Sequence, residues 1–194
     1  AKITKYDLNP DGNIGDHYVG EKIGEIWGFV TDGFYSTDEE AAGVDNSDIW
    51  GGKWLAGDVR YKNLNGDKTA DGKDIISKGH SKLQDPGDRK IIGNNTARYN
   101  YGISLSAEYK NFDFSCLMQG VGKRDLMLGG AYFWGFTDEW RTPTTEQLDY
   151  WTPDNPNAYY PRQRFGGGGN FQSQTKYLQN GAYMRMKQLT LGYS

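Results

Sequence analysis

Oxygen-bearing side chains recur at the spacing of a calcium-binding loop between residues 63 and 74. They stand at positions 1, 3, 5, 7, 9 and 12 of a twelve-residue stretch, as Asn63, Asn65, Asp67, Thr69, Asp71 and Asp74. An EF-hand wraps Ca²⁺ with oxygens at these positions. Two residues depart from the pattern, since Asn63 replaces the first carboxylate and Lys68 replaces the turn glycine. The spacing predicts a Ca²⁺ site, and a polar turn rich in Asn, Asp and Gly is the alternative.

A second group combines carboxylates with tryptophans between residues 134 and 151. The acids are Asp138, Glu139, Glu146 and Asp149, and the indoles are Trp134, Trp140 and Trp151. Glycosidases place a carboxylate pair beside the sugar, so a secreted glycoside hydrolase is one hypothesis, and a solvated acidic loop is its alternative. We predict a binding role rather than a catalytic one, in which the three tryptophans contact substrate by stacking on sugar rings.

Other reactive side chains are scarce. Cys116 is the single cysteine, and the two histidines, His17 and His80, complete no Cys/His metal cluster. No convincing Ser/His/Asp or Cys/His constellation can be assembled, so we predict no catalytic residue and no enzyme. The run from Gly166 to Gly169 lacks the Gly-Lys-Ser/Thr of a phosphate-binding loop, and we predict a flexible loop there.

Composition favours an all-β chain. The 194 residues include 14 Tyr, 8 Phe, 6 Trp and 27 Gly, and aromatic residues favour strands while Gly favours turns. A net charge of -3 does not suggest a nucleic-acid-binding protein, which usually carries a concentrated basic surface. The longest unbroken apolar run, from Ala131 to Trp134, is far shorter than the about 20 residues of a transmembrane helix. A transmembrane β-barrel remains open, because its strands alternate.

The clearest strand lies between Tyr99 and Tyr109. One parity is apolar, with Tyr99, Tyr101, Ile103, Leu105, Ala107 and Tyr109, and the other parity is polar. Eleven residues at about 3.3 Å each, tilted by about 40°, cover roughly 25 Å along the membrane normal. A minimal turn at Lys110-Asn111 should return the chain into a strand from Phe112. Tyrosines at both ends match the aromatic girdles of an outer-membrane barrel; the core of a soluble β-sandwich is the alternative.

Other segments complete this outline. From Tyr183 to Tyr193 the apolar parity switches, which predicts a β-bulge near Lys187-Gln188. A less regular strand in 24–35 should end in a turn at Asp32-Gly33, and residues 1–20 should form a loop. The stretches 36–96 and 122–180 are polar and Gly-rich, and we predict long loops there. Such loops are unusual in a compact soluble domain and common on the outer side of membrane barrels.

Several segments together resemble the C-terminal barrel portion of SusC/RagA-type TonB-dependent outer-membrane transporters of Bacteroidetes. The loop that begins at Asn63 is similar to the family's D-x-N-x-D-G stretch, from which Asn63 and Lys68 depart. The matching segments occur in family order and cover residues 24–37, 56–74, 85–125, 150–162 and 177–194.

The resemblance implies a 22-stranded barrel in the cell outer membrane, with lipid outside and a plug domain inside. Residues 1–194 are then expected to be an incomplete C-terminal part of that barrel, without the plug and the final strands. The implied function is import of glycans or peptides, with a SusD-like surface lipoprotein and with TonB acting through an N-terminal region. The alternative is a soluble β-sandwich glycan-binding module that is calcium-dependent.

Overall fold

Short strands dominate the secondary structure, in agreement with the all-β prediction. The computed structural model describes residues 1–49, 52–135, 137–138 and 140–194. The first strands are β1 (Glu25–Phe29), β2 (Thr31–Phe34), β3 (Val44–Asp45), β4 (Val59–Tyr61), β5 (Asp74–Ile75) and β6 (Arg89–Asn94). They are followed by β7 (Asn100–Tyr109), β8 (Phe112–Val121), β9 (Asp125–Met127), β10 (Leu178–Asn180) and β11 (Tyr183–Tyr193).

Helices are few and short. The α-helices are α1 (Asp38–Ala42) and α2 (Ala131–Trp134), and 3₁₀ turns span Thr145–Leu148, Gly168–Phe171 and Thr175–Tyr177. α1 begins after Thr37, whose hydroxyl accepts a hydrogen bond from the Glu40 backbone N–H at 3.1 Å, and this satisfies one of the free donors of the first turn. Among the described residues, no helix is both long and apolar enough to cross a membrane.

Three long strands form one antiparallel sheet in the order β11–β8–β7, which we call the wall sheet. The predicted strand, turn and return strand are confirmed, since β7 pairs with β8 from Asn100↔Val121 to Tyr109↔Phe112. Lys110 has a φ of 54°, the left-handed conformation that a two-residue hairpin loop requires.

Residue pairing places apolar side chains on one face of the wall sheet. Paired residues of neighbouring strands project to the same side, so each row across the sheet shares a face. We call this surface the apolar face, and its five rows are Tyr101–Gly120–Met184, Ile103–Met118–Met186, Leu105–Cys116–Leu189, Ala107–Phe114–Leu191 and Tyr109–Phe112–Tyr193. The opposite face is mostly polar, with residues such as Ser104, Ser106 and Gln119.

The predicted β-bulge is confirmed and explains the change of parity in β11. The pairing with β8 shifts between Met186 and Gln188, so that Lys187 has no partner residue on β8. An extra residue in one strand reverses the side to which later side chains point. Met184 and Met186 therefore lie on the same face as Leu189, Leu191 and Tyr193.

The rest of the described chain forms a folded unit at one end of the wall sheet, which we call the loop body (the described residues within 1–98 and 122–182). Its core comprises Phe29, Phe34, Tyr35, Ala41, Ile49, Trp54, Val59, Tyr61, Ile76, Trp151 and Ala158. β9 and β10 pair antiparallel. They follow β8 and precede β11 in the chain, beyond the pair Val121↔Tyr183 at which the β8–β11 pairing ends. The stretches predicted as long loops thus contain short paired strands and most of the residues of this hydrophobic core.

Two local predictions are corrected by the structure. Asp32 and Gly33 lie within β2 rather than in a turn after it. The glycine run is not a flexible loop, because Gly167, Gly168 and Gly169 are buried and a 3₁₀ turn begins at Gly168. A Cβ at Gly169 would collide with the Trp54 ring, so only glycine permits this close approach.

Candidate functional site

The apolar face of the wall sheet is open to its surroundings. Exposure of its aromatic and aliphatic side chains runs from 37% for Phe114 to 74% for Leu191. Within the described part of the chain, no second sheet covers this surface. A contiguous exposed apolar surface of this kind marks contact with a membrane or with another apolar surface.

Aromatic rings stand at both ends of the apolar face. At the turn end, the Phe112 and Tyr193 ring centroids lie 4.9 Å apart, and Tyr109 occupies the same row. At the loop-body end, the Tyr101 ring covers Gly120 so closely that a Cβ there would collide with it. The rows between consist of aliphatic and sulfur-containing side chains with one ring, Phe114, so the middle of the face is apolar and most of its aromatic rings stand at the borders.

A buried ion pair joins two parts of the loop body that lie more than 100 residues apart in sequence. The Asp58 carboxylate is 1% exposed and pairs with the Arg164 guanidinium. It also accepts hydrogen bonds from Asn170 Nδ2 at 2.8 Å and from the Leu55 backbone N–H at 2.8 Å. Asn170 Oδ1 in turn accepts the Val59 backbone N–H at 2.7 Å. This network fixes the β4 strand against the segment 164–170.

A second polar connection extends the same junction. Gln174 is buried, and its Nε2 donates to the Asn170 carbonyl at 2.7 Å and to the Tyr61 hydroxyl at 3.2 Å. Its Oε1 accepts from the Thr31 hydroxyl at 3.0 Å. The Tyr61 hydroxyl donates to the Gly169 carbonyl at 2.8 Å, and burial raises the pKa of Tyr61. These contacts are structural and hold the loop body together.

An aromatic cluster supports the other side of the loop body. Trp134 packs against Tyr177 with ring centroids 4.8 Å apart and against Phe171 at 5.0 Å. The Lys176 ammonium lies 4.7 Å from the Phe34 ring centroid and donates to the Ala158 carbonyl at 3.1 Å. Burial lowers the pKa of Lys176 because desolvation disfavours its charged form.

The three tryptophans predicted to contact substrate differ in their surroundings. Trp134 and Trp151 are buried, the first in the aromatic cluster and the second in the hydrophobic core. Trp140 is 87% exposed and lines a cavity of about 280 Å³ together with Tyr132, Arg141, Thr142 and Thr144. Arg141 stacks over the Tyr132 ring with its Cζ 5.9 Å from the centroid. Of the three indoles, Trp140 is therefore the one that presents its ring to a solute.

Two of the described carboxylates in this region have local hydrogen-bond partners. Asp138 pairs with Arg141 at 2.8 Å, and Asp149 accepts from Asn155 Nδ2 at 3.0 Å and from the Tyr159 backbone N–H at 3.1 Å. Glu146 is exposed in the first turn of a 3₁₀ helix. Glu139 lies outside the described residues. The observed partners give Asp138 and Asp149 roles in local structure.

The predicted calcium loop is organised by hydrogen bonds among its own side chains. Asn63 Oδ1 accepts the Gly66 backbone N–H at 2.6 Å, and Asn65 Nδ2 donates to Asp67 at 2.9 Å. The Lys68 ammonium lies 3.1 Å from an Asp74 carboxylate oxygen. Thr69 Oγ1 accepts the Lys73 backbone N–H at 3.1 Å, and Asp71 is exposed. The calcium site stays a prediction, and Lys68 is the residue that would oppose the ion.

Asp88 anchors this loop and was not singled out by the sequence. It is fully buried and accepts hydrogen bonds from the backbone N–H groups of Leu64 at 2.6 Å and Ser77 at 2.8 Å. Asp58, described above, was missed in the same way. Asp88 accepts from backbone donors, and Asp58 from side chains, of segments distant in sequence, and a single sequence carries no signal for such pairing.

Comparison with known proteins agrees with these features. The chain is 26% identical over 183 residues to TonB-dependent receptor P3 of Formosa agariphila (strain DSM 15362 / KCTC 12365 / LMG 23005 / KMM 3901 / M-2Alg 35-1). The alignment covers 90% of this chain and 15% of the relative. No protein-family model matches the chain. This distant similarity supports a relationship to TonB-dependent receptors, of whose length the chain spans only a small part.

Proposed function

We propose that the wall sheet is part of the lipid-facing wall of a TonB-dependent transporter in the outer membrane. The observation that carries the proposal is the apolar face, which is exposed, bordered by aromatic rings and backed by a polar face. A strand in the wall of a barrel needs one apolar face toward lipid and one polar face toward the water-filled interior. A barrel also satisfies the backbone groups at both edges of the sheet, because neighbouring strands pair with them.

The two ends of the wall sheet then have assigned sides. Short turns of such barrels face the periplasm and long loops face the exterior, so the Lys110-Asn111 turn is periplasmic and the loop body is extracellular. The position of the loop body at the opposite end of the sheet from this turn supports the assignment. Lys110→Cys and Leu148→Cys are each made in a receptor whose own cysteines, including Cys116, are replaced by alanine. On whole cells, a membrane-impermeant maleimide should modify the position 148 variant alone. Modification at position 110 contradicts the assignment.

The finer identity follows the resemblance described above. We propose a SusC/RagA-type transporter with a 22-stranded barrel, of which residues 1–194 are a C-terminal part. It works with a SusD-like surface lipoprotein and with TonB, and it imports glycans or peptides. Purification of the complete receptor from native membranes tests the partnership. A SusD-like lipoprotein should co-purify in stoichiometric amount, and its absence from mild-detergent preparations contradicts the pairing.

The cavity beside Trp140 is a candidate contact for the transported solute. Exposed aromatic rings on Trp140 and Tyr132, with hydroxyls from Thr142 and Thr144, offer both stacking surfaces and hydrogen bonds. Trp140→Ala should weaken oligosaccharide binding by the complete receptor about two- to tenfold, as expected from the loss of one aromatic contact. Isothermal titration calorimetry measures the change. Leu148→Ala, a change at an exposed residue outside the cavity, is the control, and equal affinities in both variants contradict the role of Trp140.

A calcium ion at residues 63–74 is a separate proposal with its own test. If the loop binds Ca²⁺, the unfolding midpoint of the complete receptor should rise in CaCl₂ relative to EDTA. Lys68→Ala should then tighten Ca²⁺ binding about fivefold, because the ammonium beside Asp74 repels the ion by about 1 kcal/mol. Lys62→Ala is the control, since Lys62 pairs with Asp32 at 3.3 Å. Identical midpoints with and without Ca²⁺ in all three proteins contradict the site.

A further inference from the structure

A cavity between the segments 2–23 and 94–98 brings three cationic side chains together. It has a volume of about 430 Å³, and its lining includes Lys2, Lys22, Ile23, Asn94, Thr96 and Arg98. All three cations are exposed. Among the described residues, no carboxylate lines the cavity, and none of the three cations belongs to an ion pair. The cavity therefore carries positive charge that the described chain does not neutralise.

Two of the cations stand side by side because of the backbone pairing. Lys2 and Lys22 are opposite each other in an antiparallel bridge. Backbone hydrogen bonds flank this pair, one of them from the Ile3 N–H to the Glu21 carbonyl at 2.9 Å. This is the non-hydrogen-bonded arrangement, in which facing side chains are closest to each other. Like charges that are directly opposite destabilise a strand pair, and a bound anion relieves that repulsion.

A buried asparagine joins the two walls of the cavity. Asn94 is 6% exposed, and its Nδ2 donates to the carbonyls of Lys22 at 3.3 Å and Ile23 at 3.1 Å. Its Oδ1 accepts the Thr96 backbone N–H at 3.0 Å, and the Thr96 hydroxyl donates to the Ile23 carbonyl at 2.8 Å. The backbone that carries Arg98 is thus fixed against the backbone that carries Lys22. A site whose walls are set before binding loses less conformational freedom when a ligand binds.

The carboxylates closest to the cavity in sequence have other partners. Glu21 is buried, and its Oε2 lies 2.9 Å from His17 Nδ1. Glu25 accepts the Tyr18 hydroxyl at 2.6 Å. Asp125 accepts a backbone N–H at 2.9 Å. The counter-charge for the three cations must therefore come from a bound group.

We propose that this cavity binds a phosphate or sulfate group. Such a tetrahedral oxyanion offers several acceptor oxygens to two ammonium groups and one guanidinium, and charge-assisted hydrogen bonds of this kind are the strong ones. The binding step does not rest on the proposed function, because it depends on the cavity alone. Arg98 precedes β7, and its backbone N–H donates to the Lys123 carbonyl at 3.0 Å. The cavity thus lies at the loop-body end of the wall sheet, where either a phosphorylated lipid or a solute can supply the group.

Titration of the complete receptor in detergent with inorganic phosphate tests the site. The ³¹P NMR linewidth reports binding at constant ionic strength, and inorganic sulfate should compete. Lys22→Gln and Arg98→Gln should each weaken phosphate binding about three- to tenfold, because each removes one charged donor. Lys90→Gln is the matched control and should leave the affinity unchanged. Lys90 is an exposed cation that does not line the cavity.

A second arm identifies the source of the group. The receptor is placed in nanodiscs that contain phosphatidic acid or phosphatidylserine, two anionic lipids of which the first alone has a phosphate monoester. Weaker binding of inorganic phosphate in the phosphatidic acid discs supports the site and assigns it to a lipid. Equal binding in the two discs supports the site and assigns it to a solute.

The outcomes also separate this inference from the proposed function. Equal phosphate affinity in wild type and both cavity variants, with unfolding midpoints close to wild type, overturns the site. A loss of the same size in Lys90→Gln overturns it as well, because the response then reflects overall charge. Absence of phosphate and sulfate binding has the same meaning. Oligosaccharide uptake by cells is measured in parallel: uptake without anion binding contradicts the anion site alone, and anion binding without uptake contradicts the transporter alone.

Discussion

Leu105→Arg should lower the free energy of unfolding of the complete receptor by about 2–4 kcal/mol if the apolar face meets the middle of the bilayer. Leu105 lies in the central row of that face, opposite Cys116 and in line with Leu189. Placing a guanidinium there forces a charge into hydrocarbon or distorts the membrane around it. Equilibrium unfolding in lipid vesicles, followed by the shift of folded and unfolded bands in cold electrophoresis, measures the difference.

The neighbouring residue supplies the control for this experiment. Ser104 pairs with Leu117 on the polar face of the same strand, so Ser104→Arg adds the same charge on the opposite side. A water-filled lumen solvates that charge, and the cost should stay well below 1 kcal/mol. Equal losses of stability in the two variants would contradict the proposed orientation of the two faces. If the chain were part of a soluble β-sandwich, Leu105→Arg would also lower the free energy of unfolding. In that case the loss would persist in buffer without lipid.

Arg164→Met should destabilise the loop body by about 3–5 kcal/mol, because it leaves the Asp58 carboxylate buried without its cationic partner. Methionine keeps part of the side-chain length, so the change isolates the charge from the packing. The Asn170 and Leu55 donors to Asp58 remain, yet they do not neutralise the carboxylate. Limited proteolysis of the complete receptor measures the effect, and cleavage within residues 50–60 and 160–170 should accelerate strongly.

Arg141→Met is the matched control for the buried pair. Arg141 pairs with Asp138 at 2.8 Å, and both side chains are more than a third exposed. Exposed ion pairs contribute about 0–1 kcal/mol, so proteolysis of this variant should resemble wild type. Similar cleavage rates in the Arg164→Met and Arg141→Met proteins would contradict the importance assigned to the buried pair.

The wall sheet was predictable from sequence because neighbouring residues determine its strand faces, its turn and its bulge. Strict alternation in 99–109 defines the faces of β7, and the two-residue turn at Lys110 fixes the register with β8. The switch of parity in 183–193 has one simple structural cause, a single extra residue, and the bulge appears at Lys187. None of these inferences needs knowledge of a distant partner.

The loop body was much harder to predict, because its stabilising contacts are long-range. β1 pairs with β6, as in Trp27↔Ile91, and a strand of five residues carries too little periodicity to reveal a partner more than 60 positions away. The sequence also does not show which tryptophans are buried. Trp134 and Trp140 are six residues apart in the same polar and aromatic segment, yet the first is buried and the second is exposed. The glycine run appeared flexible in sequence, yet Trp54 packs directly over Gly169.

The hydrogen-bonded network of Asp58, Arg164 and Asn170 limits how the two segments that form it can change in sequence. Its members come from opposite sides of the β7–β8 hairpin, so a change on one side meets an unchanged partner on the other. Residues that share one network respond to substitution non-additively. Transplanting residues 31–61 alone from a homologue should therefore produce a poorly folded chimera, whereas moving 31–61 and 149–177 together should preserve the fold. The two segments are therefore expected to change as a matched pair.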